Sequence, residues 1–290
     1  MGKVKVKTPG KLMLFGEHAV VYGHPCIVAA VDHYLTVEVE KSPSNKIQLP
    51  PELKTSRFVT ETLNEFGRRY QLGGVKIKTD NGFSSHYGFG SSAAVTAATA
   101  KALNHLFKLK LNNKQLFDLC YRVILKIQKV GSGFDVAASL YRGVVYFVTG
   151  GKTIIRLPIK KLPLVVGYSG VKADTVVLVK QVAKLKPQKL FLESAKIVKQ
   201  ARPALEQGHW AEAGELMNKS QEILRRIGVS TPKLERLIDA SLKAGAWGVK
   251  LSGAGGGDCM IALTPPARRR AIEQAITQAG GEVLRVKLAL

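Results

Sequence analysis

The sequence predicts an α+β protein built as two lobes, and three observations carry that prediction. Its 290 residues have the composition of an ordinary globular protein, a length that suits two packed lobes or one large domain with a real core. Strand-like segments open the chain and give way to a loop rich in glycine and serine that feeds an alanine-rich helix. From about Leu157 the pattern runs strand, helices, two strands, helix, strand, which is compatible with a ferredoxin-like α+β lobe. The expected division is therefore residues 1–156 and 157–290.

Residues 4–7, Val-Lys-Val-Lys, alternate as a strand does, and Thr8-Pro9-Gly10 breaks that strand before the apolar run 11–15. In residues 16–25, Glu17 and His18 interrupt apolar sequence between two glycines. A core strand needs neither side chain there, so Lys11, Glu17 and His18 read as one wall of a site. Residues 26–31 and 34–40 read as two further strands, 41–56 as a polar, proline-broken surface loop, 57–69 as an amphipathic helix and 75–79 as another strand.

Residues 84–94, Ser-Ser-His-Tyr-Gly-Phe-Gly-Ser-Ser-Ala-Ala, join that strand to the alanine-rich run. Gly88 and Gly90 remove side chains where the backbone turns sharply, while Ala93, Ala94, Ala97, Ala98, Ala100 and Ala102 favour helix. A helix starting there leaves about four unpaired N–H groups and a partial positive charge, the natural partner of a phosphate. Ser91 and Ser92 add hydroxyls, one for an N-cap and the other for phosphate or Mg²⁺. Three readings compete. A capped helix after a tight turn needs no ligand. Gly88-x-Gly90-x-x-Ala93 also fits a dinucleotide-binding fingerprint, but that unit requires a second strand ending in an acidic residue roughly 20 positions on; residues 108–129 read as more helix. A Walker A loop fails because no Gly-Lys-Ser/Thr follows the glycines. What remains is a phosphate loop of another type.

Asn112-Asn113 cap a second helix over 114–129, with Leu116, Leu119, Cys120, Val123, Ile124 and Ile127 on one face. Behind the turn Gly131-Ser132-Gly133, Asp135 stands in an apolar context, where the plain reading is a cap for the next helix. Residues 142–149 read as a strand ending at Gly150-Gly151. In the second lobe, 162–168 is a buried-type strand, Asp174-Thr175 opens a helix, and helical patterns follow at 190–206, 210–227 and 232–244. Strands at 248–252 and 259–263 flank a second glycine loop, Gly253-Ala254-Gly255-Gly256-Gly257-Asp258. The chain closes with a helix after Pro265-Pro266 and a strand over 282–288.

Lysine and arginine number 44 against 21 aspartates and glutamates, a formal charge of +23. So large an excess attracts polyanions. The basic residues are nevertheless spread along the chain, as at Lys160-Lys161, Arg225-Arg226 and Arg268-Arg269-Arg270, without interleaved aromatics. They read as a solvated basic surface that gathers anionic substrates, with no specific nucleic-acid partner. No apolar run approaches the roughly 20 residues of a membrane span and the N-terminus lacks a signal-peptide core, so the expected location is the cytoplasm, without a membrane partner. Cys26, Cys120 and Cys259 are far apart in apolar sequence and read as buried thiols.

Three separated motifs stand in order: Pro9-Gly10-Lys11-Leu12 with Gly16-Glu17-His18-Ala19-Val20; Gly88-Phe89-Gly90-Ser91-Ser92-Ala93; and Lys250-Leu251-Ser252 followed by the second glycine loop. With Gly133-Phe134-Asp135 between the last two, they resemble the GHMP family of small-molecule kinases over nearly the whole chain, and Asn218 and the turn 228–232 agree. The first motif is most like that of the family's mevalonate kinases. The resemblance implies a ribosomal-protein-like α/β N-terminal lobe that binds ATP, a ferredoxin-like C-terminal lobe, ATP and Mg²⁺ as cofactors, and phosphorylation of mevalonate in isoprenoid biosynthesis. It implies that Gly88, Phe89, Gly90, Ser91, Ser92 and Ala93 hold the ATP phosphates and that Ser92 helps ligate Mg²⁺. Asp135 matches the base that accepts the hydroxyl proton, and Lys11 the lysine that holds that base charged. Glu17 and His18 match the wall that receives mevalonate, Thr175 a substrate-side threonine, and Gly253, Ala254 and Gly255 the loop that closes over phosphate and substrate. A homodimer is the expected assembly. Two departures make 5-phosphomevalonate the alternative acceptor. Ile124 occupies the place of a second Mg²⁺-ligating Glu, and residues 129–138 and 252–259 look more like phosphomevalonate kinase.

Overall fold

The computed structural model describes residues 2–42, 56–82, 85–185 and 187–290. Most of the surface loop expected over 41–56 lies outside the described residues, as does Ser84 in the central loop. The first of two antiparallel sheets holds β1 (Lys3–Phe15), β2 (Pro25–Lys41), β3 (Val75–Asn81), β4 (Val144–Val148) and β5 (Thr153–Leu157). Their order is β1-β2-β4-β5, with β3 beside the far half of β2. Period-two alternation builds it: Val37, Val39, Val75 and Ile77 are buried, while Lys3, Lys5, Lys76 and Lys78 face water.

One bulge explains two departures from the sequence reading. Thr8-Pro9-Gly10 does not end the first strand, and residues 26–31 and 34–40 belong to a single strand. Pro9 pairs with Tyr34 and Gly10 with Val31, so Asp32 and His33 are extra residues on β2. The proline sits where the ladder is already interrupted and its missing N–H costs least. Asp32 finds its partner far along the chain: its N–H donates to the Lys287 carbonyl at 3.0 Å, and its carboxylate accepts the Lys287 N–H at 2.7 Å.

Four helices pack with this sheet: α1 (Arg57–Gly67), α2 (Ser91–Leu106), α3 (Asn113–Gln128) and α4 (Phe134–Tyr141). The alanines of α2 are fully buried, and their small side chains allow the close approach that sets its N-terminus against β1. A capping box starts α3, with Asn112 accepting from the Gln115 N–H and Gln115 reaching back.

The second sheet holds β6 (Leu164–Tyr168), β7 (Gly248–Ser252), β8 (Cys259–Leu263) and β9 (Glu282–Leu284) in the order β7-β8-β6-β9. Between β6 and β7 lie α5 (Thr175–Leu185), α6 (Gln188–Gln207), α7 (Trp210–Arg226) and α8 (Pro232–Lys243). Between β8 and β9 lies α9 (Arg269–Gln278). This is a ferredoxin-like β-α-β-β-α-β arrangement with its first helical connection expanded. β5 has no counterpart among the expected strands, and β9 ends at Leu284 rather than running to 288. The tail instead returns to the first sheet, where Leu288 bridges Val31 and the Ala289 N–H donates to the Ala30 carbonyl at 3.0 Å. The first sheet also extends through Leu157, one residue past the expected division. All three cysteines are free and buried. Among the described residues no helix is long and apolar enough to cross a membrane.

The sheets meet where β1 touches β7. Ser252 Oγ accepts from the Met13 N–H at 2.9 Å and donates to the Met13 carbonyl at 3.0 Å, which brings the first and third motifs side by side.

Candidate active site

Around that junction opens a cavity of about 720 Å³. The end of β1, the N-termini of α2, α4 and α5, and the loop after β7 supply its walls. Lys11, His18, Gly88, Gly90, Ser91, Ser92, Asp135, Thr175, Gly253 and Ala254 all line it. The geometry of the loop before α2 explains its glycines. Gly88 and Gly90 have φ of 71° and 76°, the left-handed region. A Cβ on Gly88 would lie 2.4 Å from Asp258 Oδ2, and one on Gly90 3.2 Å from Lys11 Cε. Gly90 is the N-cap of α2 and no side chain caps the helix, so its first N–H groups are left for an anion. Neither Ser91 nor Ser92 serves as the N-cap.

Lys11 is threaded through the loop. Its backbone N–H donates to the Phe89 carbonyl at 3.0 Å and its Nζ to the Gly88 carbonyl at 2.7 Å. Burial pushes the ammonium pKa down, opposed first by the Asp135 carboxylate and then by Asp258. Asp135 lies half-buried in the first turn of α4, where Oδ1 accepts the Val136 N–H at 2.9 Å. The N-cap there is Gly133, so Asp135 is not the cap. Burial pushes its pKa up, with Lys11 holding it back. No ion pair joins Lys11 to Asp135 among the described residues; the lysine acts on the carboxylate through space.

The structure places four of the predicted residues behind the cavity wall. Phe89 and Ala93 are buried in the core. Gly255 packs on Val229, where a Cβ would stand 2.3 Å from the Val229 carbonyl oxygen. Glu17 forms a buried ion pair with Lys250, with 1 % and 0 % of their side chains exposed. Burial pushes the Glu17 pKa up and the Lys250 pKa down, and each charge opposes the other's shift. His18 does face the cavity, its Nε2 donating to the Ala254 carbonyl at 2.9 Å. Burial lowers its pKa, so the imidazole is neutral and Nδ1 is left as an acceptor.

Further residues enter the site. Asp258 accepts from Lys172 Nζ at 3.2 Å and from the Ala173 N–H at 3.0 Å, beneath Gly88. Lys172 lines the cavity, whereas Arg142 turns away to the Lys7 and Leu290 carbonyls. Ser132 also lines the cavity, and its hydroxyl has no hydrogen-bond partner among the described residues. Nothing in the sequence distinguishes that serine from an ordinary turn residue. Lys250 did carry a signal, being the one charged residue in a strand whose positions are all buried. Cys120 of α3 contacts the Thr96 carbonyl of α2 at 3.9 Å. One turn further along α3, Ile124 lines the cavity, as Ser92 does. Among the described residues no cluster of three or more His, Cys, Asp or Glu is placed to hold a metal. The Ser92 hydroxyl lines the cavity, and a single such ligand fits Mg²⁺, which takes one or two protein ligands and completes its shell with phosphate and water.

The profile of the GHMP kinases N terminal domain matches residues 57–143, and that of the GHMP kinases C terminal domain residues 201–282. The chain belongs to the GHMP kinases. Its likeness to the mevalonate kinase of Pyrococcus abyssi is 34% identity over 96% of this chain and 93% of that one. Among solved GHMP kinases, the L. major mevalonate kinase in complex with R-mevalonate superposes with a TM-score of 0.81 at 26% identity, covering 98% of this chain and 95% of that chain. Streptococcus pneumoniae phosphomevalonate kinase superposes with a TM-score of 0.87 over 100% of both chains, but at 24% identity this likeness concerns the fold alone.

Proposed function

We propose that this GHMP kinase transfers the γ-phosphoryl group of ATP to the 5-hydroxyl of mevalonate. The observation that carries the reading is the half-buried Asp135 carboxylate, set in the same cavity as the uncapped N-terminus of α2 and steered by Lys11. Identity of 32–34% to mevalonate kinases over nearly the whole chain supports the choice of acceptor. The N–H groups of the 88–93 loop bind the ATP phosphates, and His18 Nδ1 accepts a hydrogen bond from the acceptor. Asp135 takes the hydroxyl proton as the new O–P bond forms, and Lys11 favours the ionised base. Ser92 and the phosphate oxygens would hold Mg²⁺, which supplies charge neutralisation at the β- and γ-phosphates. The first and second lobes take the ATP and the closing loop as residues 1–156 and 157–290. The reading places a homodimer in the cytoplasm, checked by mass in solution and by fractionation.

ADP release on adding R-mevalonate to the protein with MgATP tests the function; no release above the acceptor-free rate overturns it. Because burial raises the Asp135 pKa, kcat/KM should fall as pH drops through a value above the ordinary carboxylate range, and a profile flat to about pH 4 would contradict its role as base. Ser132 offers a separate check. Its hydroxyl makes no hydrogen bond among the described residues, so Ser132→Ala should leave the melting temperature unchanged, whereas kcat should drop about 10-fold if that hydroxyl serves a phosphoryl oxygen. Lower stability with normal turnover would make it a structural residue. A second reading, 5-phosphomevalonate as acceptor, is favoured by the lysines at 129, 172 and 180 around the cavity.

A further inference from the structure

The cavity is lined by Lys11, Lys129, Lys172 and Lys180. Lys11 is bound to the Gly88 carbonyl and Lys172 to Asp258; both belong to the phosphate side. Lys180 lies on α5, whose sequence is mostly aliphatic although only Val182 of the helix is buried. Thr175, Val176, Val179 and Lys180 all line the cavity, and their spacing of i, i+1, i+4 and i+5 makes them one face of that helix. The helix is held from its other side, where Leu178 packs against Gly256.

This face has a chemical order. Its N-terminal end follows directly on Lys172 and Ala173, which are bound to Asp258 under the phosphate loop. Lys180 lies about 7.5 Å further along the axis, at a rise of about 1.5 Å per residue, with two valines between. The surface therefore runs from hydroxyl through apolar to cation, away from the phosphates. A branched hydroxy acid whose reacting hydroxyl is at Asp135 presents its methyl group mid-chain and its carboxylate at the far end. We infer that Lys180 is a specificity residue that binds the acceptor's carboxylate, with the acceptor's methyl group on Val176 and Val179. The inference rests on the mevalonate reading above and names the side chain that recognises the acid end of that substrate.

The test compares Lys180→Met, Lys180→Arg and Lys129→Met with the unaltered protein. Two acceptors are used: R-mevalonate and the uncharged 3-methylpentane-1,3,5-triol, which keeps the reacting hydroxyl but has no carboxylate. A hydrogen bond to a charged group predicts a KM for mevalonate raised about 10- to 100-fold in Lys180→Met, with KM for ATP within about twofold and substantial recovery in Lys180→Arg. With the triol, Lys180→Met and the unaltered protein should give the same kcat/KM, since no carboxylate is left to lose. Unchanged KM for mevalonate in Lys180→Met, an equal loss with the triol, or a larger rise in Lys129→Met would each overturn the assignment. An unaltered protein that uses neither acceptor would instead overturn the mevalonate reading itself, and this inference with it.

Discussion

Replacing Asp135 by Asn should lower turnover by at least about 10²-fold while leaving ATP affinity within a few-fold, the loss expected when a general base is removed without change of shape. The amide keeps the size of the carboxylate and its acceptor oxygen for the Val136 N–H. It removes proton affinity and charge at the point where the acceptor hydroxyl must ionise. In the proposed reading ATP rests on the N–H groups at the start of α2, on another wall of the cavity, so its binding should be spared. Lys11→Met should also depress turnover by leaving Asp135 without its nearby cation, but Nζ supports the Gly88 carbonyl as well, so ATP affinity should fall with it. Steady-state kinetics and equilibrium nucleotide binding on both variants separate the two roles. Near-normal turnover in Asp135→Asn would leave the carboxylate no part in the chemistry.

The largest stability effect should come from Lys250→Met. Lys250 and Glu17 are buried together, and Lys250 Nζ also donates to the Leu251 carbonyl at 2.6 Å. Removing the lysine strands a carboxylate in the interior, which typically costs about 3–5 kcal/mol, a large share of the roughly 5–15 kcal/mol that holds a domain folded. The loss has a pH signature. Burial already raises the folded-state pKa of Glu17, and without Lys250 it rises further above its unfolded value. The penalty is absent below the unfolded pKa, where the carboxyl is protonated in both states. It grows as pH climbs through the window up to the folded pKa. Urea denaturation should therefore show the variant far less stable at pH 7 than at pH 4 relative to the unaltered protein, and Glu17→Gln in the same chain should restore much of the loss. Equal destabilisation at both pH values would mean that lost packing, not stranded charge, is the cause.

The glycine loop before α2 is legible in the sequence because local physics dictates it. Gly88 and Gly90 are where φ is positive and neighbours stand too close for a Cβ, and the alanines after them could form only a closely packed helix. The strands at Gly248–Ser252 and Cys259–Leu263 fall where the glycine loop between them requires. What escapes depends on partners distant in sequence. Glu17 reads as a cavity wall until Lys250, 233 residues away, is found beside it. Asp32-His33 reads as a break between strands until the tail brings Lys287 to Asp32. Pro9 reads as a stop, but at a bulge its lost donor matters little. The Ser132 hydroxyl is notable only for having no partner among the described residues, which no sequence pattern records.

The choice of acceptor is tested most directly by kcat/KM for R-mevalonate and for 5-phosphomevalonate, measured side by side by coupled ADP release. 5-Phosphomevalonate brings about two further negative charges at neutral pH, and of the cations around the cavity Lys172 is already spent on Asp258. The account predicts that mevalonate is preferred by at least about tenfold, or about 1.4 kcal/mol of transition-state stabilisation. A preference of that size for 5-phosphomevalonate would contradict it.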